Sequence, residues 1–373
     1  MDTSATGTPG AERVLALVTD AFGGYGGIAQ YNRDFISGLA QLPHVQRIDV
    51  LARLAPSPLE TLPNKVYQPA AIFGRGRYAV AAITKGIRTR PTIIFSGHLY
   101  HGPLAMVMAW LVGAKLVSQL HGTEVWGPVS RWNLHALEAS DLVLTVSRDT
   151  RARLLAKADI APERVQVLNN TVGAEFTPGN RQQARAKFSV GEEFVVLTVA
   201  RLDAREGYKG HDRIIPLVAE CKRMGRAVTY LIAGIGDDRP RLEALAKEQG
   251  VEHQVRFLGK VAHADLPDLY RAADLFALPS TGEGFGIAFL EAMACGTPAL
   301  GLAVGGAPDA LGDGELGLCL AMPDLMPSFV AAMKCQGKTR PDLPIRVHDR
   351  FGTDAFFTRL GQVFQAALNP LHL

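Results

Sequence analysis

The chain contains 373 residues, with 39 Lys and Arg against 36 Asp and Glu, which gives a formal net charge of +3 at pH 7. A charge this balanced argues against nucleic acid as a partner. Hydrophobic residues at 47% and charged residues at 20% exclude a disordered chain and indicate a soluble, core-forming one, and this length predicts two domains.

Three features predict a cytoplasmic protein. The four cysteines have neither the paired spacing of a metal site nor the density of a disulfide scaffold, so we expect free thiols in a reducing compartment. The most apolar run, Leu104–Ala114, has 11 residues, whereas crossing a bilayer takes about 20. The first dozen residues lack the apolar region of a signal peptide, and we expect them to form a disordered lead.

A glycine-rich loop opens the first half of the chain. A short apolar strand, Val14–Val18, leads into the sequence D-A-F-G-G-Y-G-G and then into a helical pattern over Ile28–Leu39. We interpret residues 23–27 as a flexible loop that lines a ligand-binding cleft, because glycine lets a ligand approach the backbone closely.

The same loop partly matches a dinucleotide-binding pattern. Gly24, Gly26 and Ala29 fit G-x-G-x-x-A, and Asp49 lies about where the ribose-binding acid of that pattern would be. The glycines do not close the strand directly, however, and bulky Tyr25 stands among them. An NAD-dependent oxidoreductase therefore remains only as an alternative function.

Apolar strands then alternate with helical patterns. The predicted strands are Val45–Leu51, Ile93–Phe95, Lys115–Gln119, Leu142–Val146 and Val165–Leu168. The predicted helices are Tyr78–Ile87, His101–Val112 and Arg131–Glu138. This alternation predicts a parallel sheet with both faces covered, and such sheets bind ligands beyond the carboxyl ends of their strands.

Two histidines fall at such strand ends, His98 in S-G-H-L-Y-H and His121 in Q-L-H-G-T-E. Either ring could instead cap its strand end through backbone hydrogen bonds. The strand ends leave both roles open for His121, whereas for His98 the capping role is at least as plausible. Glu124 lies close to His121 in sequence and is a further carboxylate that could contact a substrate.

The segment 74–90 is basic and amphipathic. It places Arg75, Arg77, Lys85 and Arg88, with Arg90, around an apolar stripe. Such segments are typical of helices that lie on anionic membrane surfaces, although most of them are ordinary solvated helices.

Polar residues, glycine and proline over 169–185 predict a linker between domains. A buried strand, Phe194–Ala200, follows it, with Arg201 at its end and Lys209 just before a helix. The later predicted elements are the strands Val228–Ala233, Val255–Leu258 and Leu275–Leu278 and a C-terminal helix over Phe351–Leu368.

The stretch 279–300 reads P-S-T-G-E-G-F-G-I-A-F-L-E-A-M-A-C-G-T-P-A-L. Its glycines precede a helical pattern over Ile287–Ala294, and a helix N-terminus offers N–H groups and a positive dipole to phosphate. Two carboxylates, Glu283 and Glu291, bracket this turn and would repel an anion. A bound sugar would explain them, because a carboxylate accepts hydrogen bonds from two hydroxyls. The alternative is that Glu283 only favours the helix start electrostatically and that Glu291 faces solvent.

Glu283 and Glu291, with seven residues between them and G-F-G inside, resemble the E-x7-E signature of family 4 retaining glycosyltransferases, which have the GT-B fold. The neighbouring glycines and C-G-T-P make the match more specific, and the resemblance extends over roughly residues 13–368. It implies two Rossmann-like α/β domains that face a central cleft. The acceptor-side domain would span 12–175 and be completed by 352–373, through a C-terminal helix that crosses back, and the donor-side domain would span 186–350.

The resemblance also implies residue roles. Glu283 would contact the donor sugar and Glu291 the ribose, while Arg201 and Lys209, spaced further apart than in many relatives, would hold the diphosphate. His121 would lie near the reacting sugar, so the implied catalytic residues are His121, Arg201, Lys209 and Glu283. Further donor-binding positions are Gly26, Gly27, Val261, Gly284, Phe285, Gly286 and Ile287. The candidate acceptor contacts are Tyr25, His98 and Glu124.

These features predict a hexosyltransferase that uses a nucleotide-diphosphate sugar, GDP-mannose or UDP-glucose or a related hexose. The acceptor would be a glycan or a lipid-linked acceptor of cell-surface polysaccharide or glycolipid synthesis. The protein could then contact the inner surface of the membrane peripherally. Retention of anomeric configuration is implied by the resemblance. No metal or cofactor is expected, because Arg201, Lys209 and the helix N-terminus would supply the positive charge. A sugar-nucleotide epimerase of the same fold and a non-catalytic binding module remain alternatives.

Overall fold

A computed structural model describes residues 11–334, 336 and 340–368 of the protein. The chain forms two compact units that divide between Asn169 and Asn170, inside the predicted linker. The second unit ends at Ala355, and the chain returns to the first unit from Phe356 onward. Residues 1–10 of the N-terminal segment predicted to be disordered lie outside the described residues. So do residues 369–373 of the segment 352–373 that was predicted to complete the first domain.

The first unit contains a seven-stranded, all-parallel sheet with the order β3-β2-β1-β4-β5-β6-β7. The strands are β1 Glu12–Val18, β2 Val45–Ala52, β3 Val66–Tyr67, β4 Ile93–Ser96, β5 Lys115–Leu120, β6 Leu142–Thr145 and β7 Val165–Val167. The strand order reverses between β1 and β4, which is where open sheets of this kind bind ligands.

Helices cover this sheet. They are α1 Gly27–Gln41, α2 Arg75–Thr89, α3 Gly102–Val112, α4 Arg131–Glu138 and α5 Arg148–Leu155. A last helix, α14 (Thr353–Leu368), packs on α1: Phe35 stacks on Phe95 of the sheet with ring centroids 4.1 Å apart and meets Phe364 at 5.8 Å. A Cβ at Gly38 would lie 2.7 Å from the side chains of Phe357 and Leu360, so glycine lets the two helices approach closely.

The second unit contains a six-stranded parallel sheet with the order β10-β9-β8-β11-β12-β13. The strands are β8 Phe194–Val199, β9 Val228–Ala233, β10 Val255–Gly259, β11 Leu275–Leu278, β12 Ala299–Leu302 and β13 Leu318–Leu320. The helices are α6 Arg181–Lys187, α7 His211–Arg223, α8 Arg239–Glu248, α9 Leu266–Ala272, α10 Ile287–Ala294, α11 Ala307–Ala310, α12 Leu325–Lys334 and α13 Leu343–Phe351. Two parallel sheets with helices confirm the predicted α/β class.

Two predictions at element boundaries were wrong. The C-terminal part of the predicted linker is helical, because Asn180 caps α6 and Arg185 of that helix is buried. The predicted single helix over Phe351–Leu368 is broken at Gly352, whose backbone is extended and pairs with Val172. A Cβ at Gly352 would lie 2.5 Å from the carbonyl oxygen of His348, so the break depends on glycine. Short strands β3, β12 and β13 were not predicted.

A buried carboxylate fastens α6 to the second sheet. Asp274, just before β11, accepts hydrogen bonds from Arg181 Nη2 at 2.6 Å and from Arg185 Nη1 at 3.1 Å. The backbone N–H of Val195 in β8 donates to the same carboxylate at 2.9 Å. The charge is therefore buried with three donors, which is the condition under which a buried carboxylate is tolerated.

Within the described ranges, every helix is too short or too polar to span a bilayer.

Replacing this carboxylate should destabilise the second unit. We expect Asp274→Asn to lower the free energy of unfolding by about 2–4 kcal/mol, because the guanidinium of Arg185 is left buried with weaker acceptors. Urea unfolding followed by circular dichroism measures the change. The control is Glu243→Gln, which removes an exposed ion pair with Arg239 and should cost below about 0.5 kcal/mol. Equal unfolding midpoints for the two variants would contradict this role of Asp274.

Candidate active site

Two loops meet beyond the carboxyl ends of the neighbouring strands β8 and β11. The first runs from Arg201 through a 3-10 segment, Ala204–Lys209, to the start of α7, and the second runs from Pro279 to the start of α10. Lys209 Nζ donates to Glu283 Oε2 at 2.9 Å, and both side chains are largely buried. Three of the four predicted catalytic residues thus lie on two adjoining loops.

Hydrogen bonds to backbone carbonyl oxygens hold the two loops together. The N–H of Thr281 donates to the carbonyl oxygen of Tyr208 at 2.9 Å, and Arg213 Nη1 donates to that of Pro279 at 2.9 Å. Gly210 has φ +82°, and a Cβ there would lie 2.5 Å from the Pro279 oxygen. Only glycine fits this conformation and this contact, so Gly210 fixes where Lys209 stands.

Each of the two predicted phosphate-binding cations already has a carboxylate partner. Lys209 pairs with Glu283, and Arg201 pairs with Glu206 in the same loop. The Arg201 side chain is 73% exposed, so its charge is accessible to an incoming anion. Glu206 lies in the longer stretch between the two cations, D-A-R-E-G-Y, and sequence reasoning did not single it out.

The N-terminus of α10 follows directly after Glu283. Gly286 precedes the helix with φ +97°, and no side chain among the described residues caps the first turn. Phe285 is buried and meets Phe351 at 5.8 Å between ring centroids. The side chain of Phe285 therefore anchors the loop in the core while the backbone of Gly284, Gly286 and Ile287 forms the turn.

A second pair of glycines supports this turn, and the sequence analysis missed it. Gly306 N–H donates to the carbonyl oxygen of Glu283 at 2.7 Å, and a Cβ at Gly306 would lie 2.0 Å from the Gly284 oxygen. A Cβ at Gly305 would lie 2.5 Å from the Glu283 oxygen. The signal was the sequence V-G-G-A after β12, a strand that was itself not predicted.

Glu291 lies in α10 and is held by a buried tyrosine. The hydroxyl of Tyr270 in α9 donates to Glu291 Oε2 at 2.6 Å. Burial raises the pKa of Glu291, and the bond from Tyr270 and the nearby His263 offset only part of that effect. One carboxylate oxygen is therefore fixed by the protein, and the predicted alternative of a simply solvated Glu291 is wrong.

The predicted base-binding position, Val261, is half-buried in the loop after β10. The preceding Gly259 has φ +67° and accepts a hydrogen bond from Gly234 N–H at 2.8 Å. A Cβ at Gly234 would lie 1.9 Å from the carbonyl oxygen of Ala200. The loops after β8, β9 and β10 are therefore packed backbone against backbone on one edge of the second sheet.

In the first unit, His98, His121 and Glu124 form a cluster. His121 Nε2 lies 2.9 Å from the carbonyl oxygen of Gly97, and the backbone N–H of His121 donates to both carboxylate oxygens of Glu124 at 3.0 and 3.1 Å. Burial lowers the pKa of His121, which favours a neutral ring. Because a carbonyl oxygen only accepts, Nε2 carries the proton, and Nδ1 is left as an acceptor.

His98 has the capping role that the sequence allowed as an alternative. Its Nδ1 accepts from the N–H of Tyr100 at 3.0 Å, and its Nε2 lies 3.6 Å from Glu124 Oε1. The carboxylate of Glu124 is thus engaged by the backbone of His121 and by the ring of His98. These contacts orient His121, and the predicted contact of Glu124 with an acceptor stays a prediction.

The glycine loop before α1 is open at its centre. Gly26 has φ +85° with no atom within 4 Å of a Cβ built on it, and α1 begins at Gly27. Tyr25 is exposed, and its hydroxyl hydrogen-bonds to Ser57. Asp49, the acid that a dinucleotide site would need, is instead bonded to Arg47 and Lys85.

No group of three or more His, Cys, Asp or Glu side chains converges as a metal site would, within the part of the chain that the structure describes.

Two family models match the chain. The model described as glycosyltransferase family 4 matches residues 25–176, and the model described as glycosyl transferases group 1 matches residues 180–334. Together they cover most of both units.

Curated relatives match over part of their length. Alpha-D-kanosaminyltransferase of Streptomyces kanamyceticus is 29% identical over 229 residues, covering 57% of this chain and 58% of that protein. D-inositol 3-phosphate glycosyltransferase of Saccharomonospora viridis is 38% identical over 192 residues, covering 48% of this chain and 44% of that protein. The chain spans about half the length of the curated relatives it matches.

Solved structures match over nearly the whole chain. HepE of Anabaena, in complex with UDP and glucose, matches with a TM-score of 0.74 and 21% identity, covering 95% of this chain and 100% of that chain. Sucrose-phosphate synthase of Thermosynechococcus elongatus matches with a TM-score of 0.77 and 21% identity, covering 96% and 100%. At these identities the likeness shows the fold, which is the predicted GT-B fold.

The raised pKa of Glu291 predicts a stability gain when its charge is removed. Between the unfolded pKa and the higher folded pKa the folded protein binds more protons, so stability falls as pH rises and stays lower at neutral pH. Glu291→Gln should therefore raise the thermal midpoint of the ligand-free protein near about pH 7, and the gain should vanish near about pH 4.

Glu175→Gln provides a control of opposite sign. A hydrogen bond from His263 lowers the pKa of Glu175, so this charge stabilises the fold above its unfolded pKa and is lost as pH falls. Glu175→Gln should lower the midpoint near about pH 7. A lower thermal midpoint for Glu291→Gln at that pH would contradict the raised pKa of Glu291 and the cost of its buried charge.

Proposed function

The chain belongs to the family 4, or group 1, glycosyltransferases, and we propose that it transfers a hexose from a nucleotide-diphosphate sugar to a glycan or lipid-linked acceptor. The observation that carries this proposal is the pairing of cations and acids beside a helix N-terminus. Arg201, Lys209 and the start of α10 present positive charge, while Glu283 and Glu291 present hydroxyl acceptors.

The positive charges would assist departure of the nucleotide. Cleaving the anomeric bond leaves developing charge on the diphosphate, and preplaced cations and amide dipoles lower the barrier where that charge develops. The exposed guanidinium of Arg201 suits two-point contact with phosphate oxygens, and Lys209 acts as a point charge. These groups would do the work of a metal ion, so the proposed reaction is metal-independent.

The carboxylates would bind the two sugars of the donor. Glu283 would accept hydroxyls of the transferred hexose while its other contact, to Lys209, keeps that cation in place. Glu291 would accept hydrogen bonds from the ribose hydroxyls through Oε1, the oxygen that Tyr270 does not contact. The base of the donor nucleotide would lie near Val261. In the first unit, Nδ1 of His121 would accept a hydrogen bond from a substrate hydroxyl.

Transfer would retain the anomeric configuration, with the acceptor approaching on the face from which the diphosphate departs and giving its proton to the leaving phosphate. Among donors we favour GDP-mannose slightly over UDP-glucose and related hexoses. A lipid-linked acceptor of polysaccharide or glycolipid synthesis would bring a cytoplasmic enzyme to the inner face of the membrane.

Release of nucleoside diphosphate tests the proposal. UDP- and GDP-hexoses are incubated with glycan and lipid-linked acceptors, and thermal shifts with UDP, GDP and NAD compare the ligands directly. Acceptor-dependent release supports transfer. A stabilising shift with NAD alone would overturn the proposal in favour of an oxidoreductase, and conversion of the donor sugar without acceptor would favour an epimerase.

Substitutions of Glu283 and Glu291 should affect different steps, sugar transfer and nucleotide binding respectively. Glu283→Gln should reduce transfer by at least about a hundredfold, because its proposed contact is to the transferred sugar. Nucleoside diphosphate affinity should stay within about fivefold, because the side-chain oxygen of Gln still accepts a hydrogen bond from Lys209. Glu291→Gln should weaken nucleoside diphosphate binding by about 1–3 kcal/mol through the lost charged hydrogen bonds. Calorimetry and initial rates measure both, and unchanged nucleotide affinity in Glu291→Gln would refute the ribose contact.

Glu206 should compete with the donor for Arg201. Because the diphosphate must displace this carboxylate, Glu206→Gln should tighten binding of UDP or GDP about two- to fivefold, the range of an ion pair with one exposed partner. Asp203→Asn is the matched control, since Asp203 lies in the same loop but pairs with Arg205. Equal affinities of Glu206→Gln and wild type would show that Glu206 does not shield Arg201.

A further inference from the structure

Residues 61–123 contain seven Lys and Arg and no Asp or Glu. The rest of the chain carries 32 basic and 36 acidic residues, so this single stretch reverses the sign of the overall charge. A sequence this long without an acid concentrates positive charge on whatever surface it forms.

The structure folds part of this stretch into two adjacent helices on one face of the first sheet. Tyr78 and Ala82 of α2 and Ala105 and Met108 of α3 join one buried cluster with strand residues such as Leu15. A Cβ at Gly86 would lie 2.8 Å from the Met108 side chain. The helices therefore pack closely, and their opposite sides face solvent together.

Those outer sides are apolar to an unusual degree. Val80 and Ile87 of α2 are 65% and 58% exposed, and Trp110 of α3 is 81% exposed. Phe73, Val107 and Leu111 are exposed as well. A single exposed apolar side chain needs no explanation, but five on two packed helices, with Phe73 just before α2, mark an interaction surface.

Unpaired arginines lie on the same helix surface. Arg77 and Arg88 of α2 are exposed, and neither forms an ion pair among the described residues. Lys85 instead forms an ion pair with Asp49 of β2 at 2.9 Å. The free charges are thus the ones that stand beside Val80 and Ile87.

A groove continues the surface beyond α3. It has a volume of about 630 Å³ and is lined by Met106, Val107 and Trp110 of α3 and by His135 and Ala139 of α4. The acid that lines it, Asp141, accepts the backbone N–H of Leu116 at 2.8 Å. Trp132 of α4 is also exposed, so a third helix extends the aromatic character.

We propose that this surface, the α2–α3 face (Phe73, Arg77, Val80, Ile87, Arg88, Val107, Trp110 and Leu111), docks the protein on an anionic lipid bilayer. Arginine attracts the anionic headgroups, and exposed tryptophan and aliphatic side chains enter the boundary between headgroups and acyl chains. The stretch 61–123 carries basic residues and no acid, and positive charge that no acid of the stretch offsets favours an anionic lipid surface as the occupant. The proposal extends the proposed function by giving the contact a surface, but it does not depend on sugar transfer.

Vesicle flotation tests the docking without any donor or acceptor. We expect the full chain to float with vesicles of 70% phosphatidylcholine and 30% phosphatidylglycerol, to bind pure phosphatidylcholine at least about tenfold less, and to lose binding as salt screens the charge. Arg77→Glu with Arg88→Glu should reduce binding at least about thirtyfold. Trp110→Ser with Ile87→Ser should also reduce binding, at least about tenfold.

Matched variants in the second unit serve as controls. Arg223→Glu with Lys247→Glu makes the same change in net charge, and Met224→Ser with Ile345→Ser removes exposed apolar side chains; both should bind vesicles within about threefold of wild type. Thermal midpoints of all variants check that they are folded. Transfer activity with a soluble acceptor is followed in parallel, so failure of the docking and failure of the proposed function are distinguishable.

Three results would overturn the proposal. One is equal flotation of wild type and the arginine variant, and another is an equal loss in the second-unit charge control. The third combines two observations: wild type does not float, and light scattering shows a dimer that the double substitution Trp110→Ser with Ile87→Ser dissociates. The face would then bind a second copy of the chain.

Discussion

The ion pair between Lys209 and Glu283 is the contact on which the candidate site depends. It joins the loop after β8 to the loop after β11, and both partners are largely buried. A buried pair is stable only while both charges remain, because either one alone is costly. The same contact therefore holds the proposed phosphate-binding cation and the proposed sugar-binding carboxylate within one hydrogen bond of each other.

Glycine sets the shape of this edge of the second sheet. Gly210, Gly234 and Gly306 each stand where a Cβ would lie within 2.5 Å of a backbone atom of a neighbouring loop. Such contacts leave no side chain between the loops, so their backbones are fixed against one another. Charged side chains such as Arg201 then project from a rigid base, which is what electrostatic stabilisation of a leaving group requires.

The sequence predicted the elements whose signal is local. Long apolar strands such as Val228–Ala233 and the helix Ile287–Ala294 were predicted with the bounds that the structure has. Short strands such as β12 and β13 were missed, because a few apolar residues do not distinguish a strand from a loop. Glu206 and Tyr270 were missed for another reason: their importance lies in partners that only the folded chain brings to them.

The packing of α14 on α1 also affects the order in which the protein can be completed. The second unit is one continuous segment, whereas the first unit is built from both ends of the chain. On the ribosome, Tyr31 and Phe35 of α1 lack their contacts with Phe356 and Phe364 until α14 emerges, after the second unit has been made. This patch is therefore exposed to chaperones and to self-association while the second unit is being made, and α14 completes the first unit only afterwards.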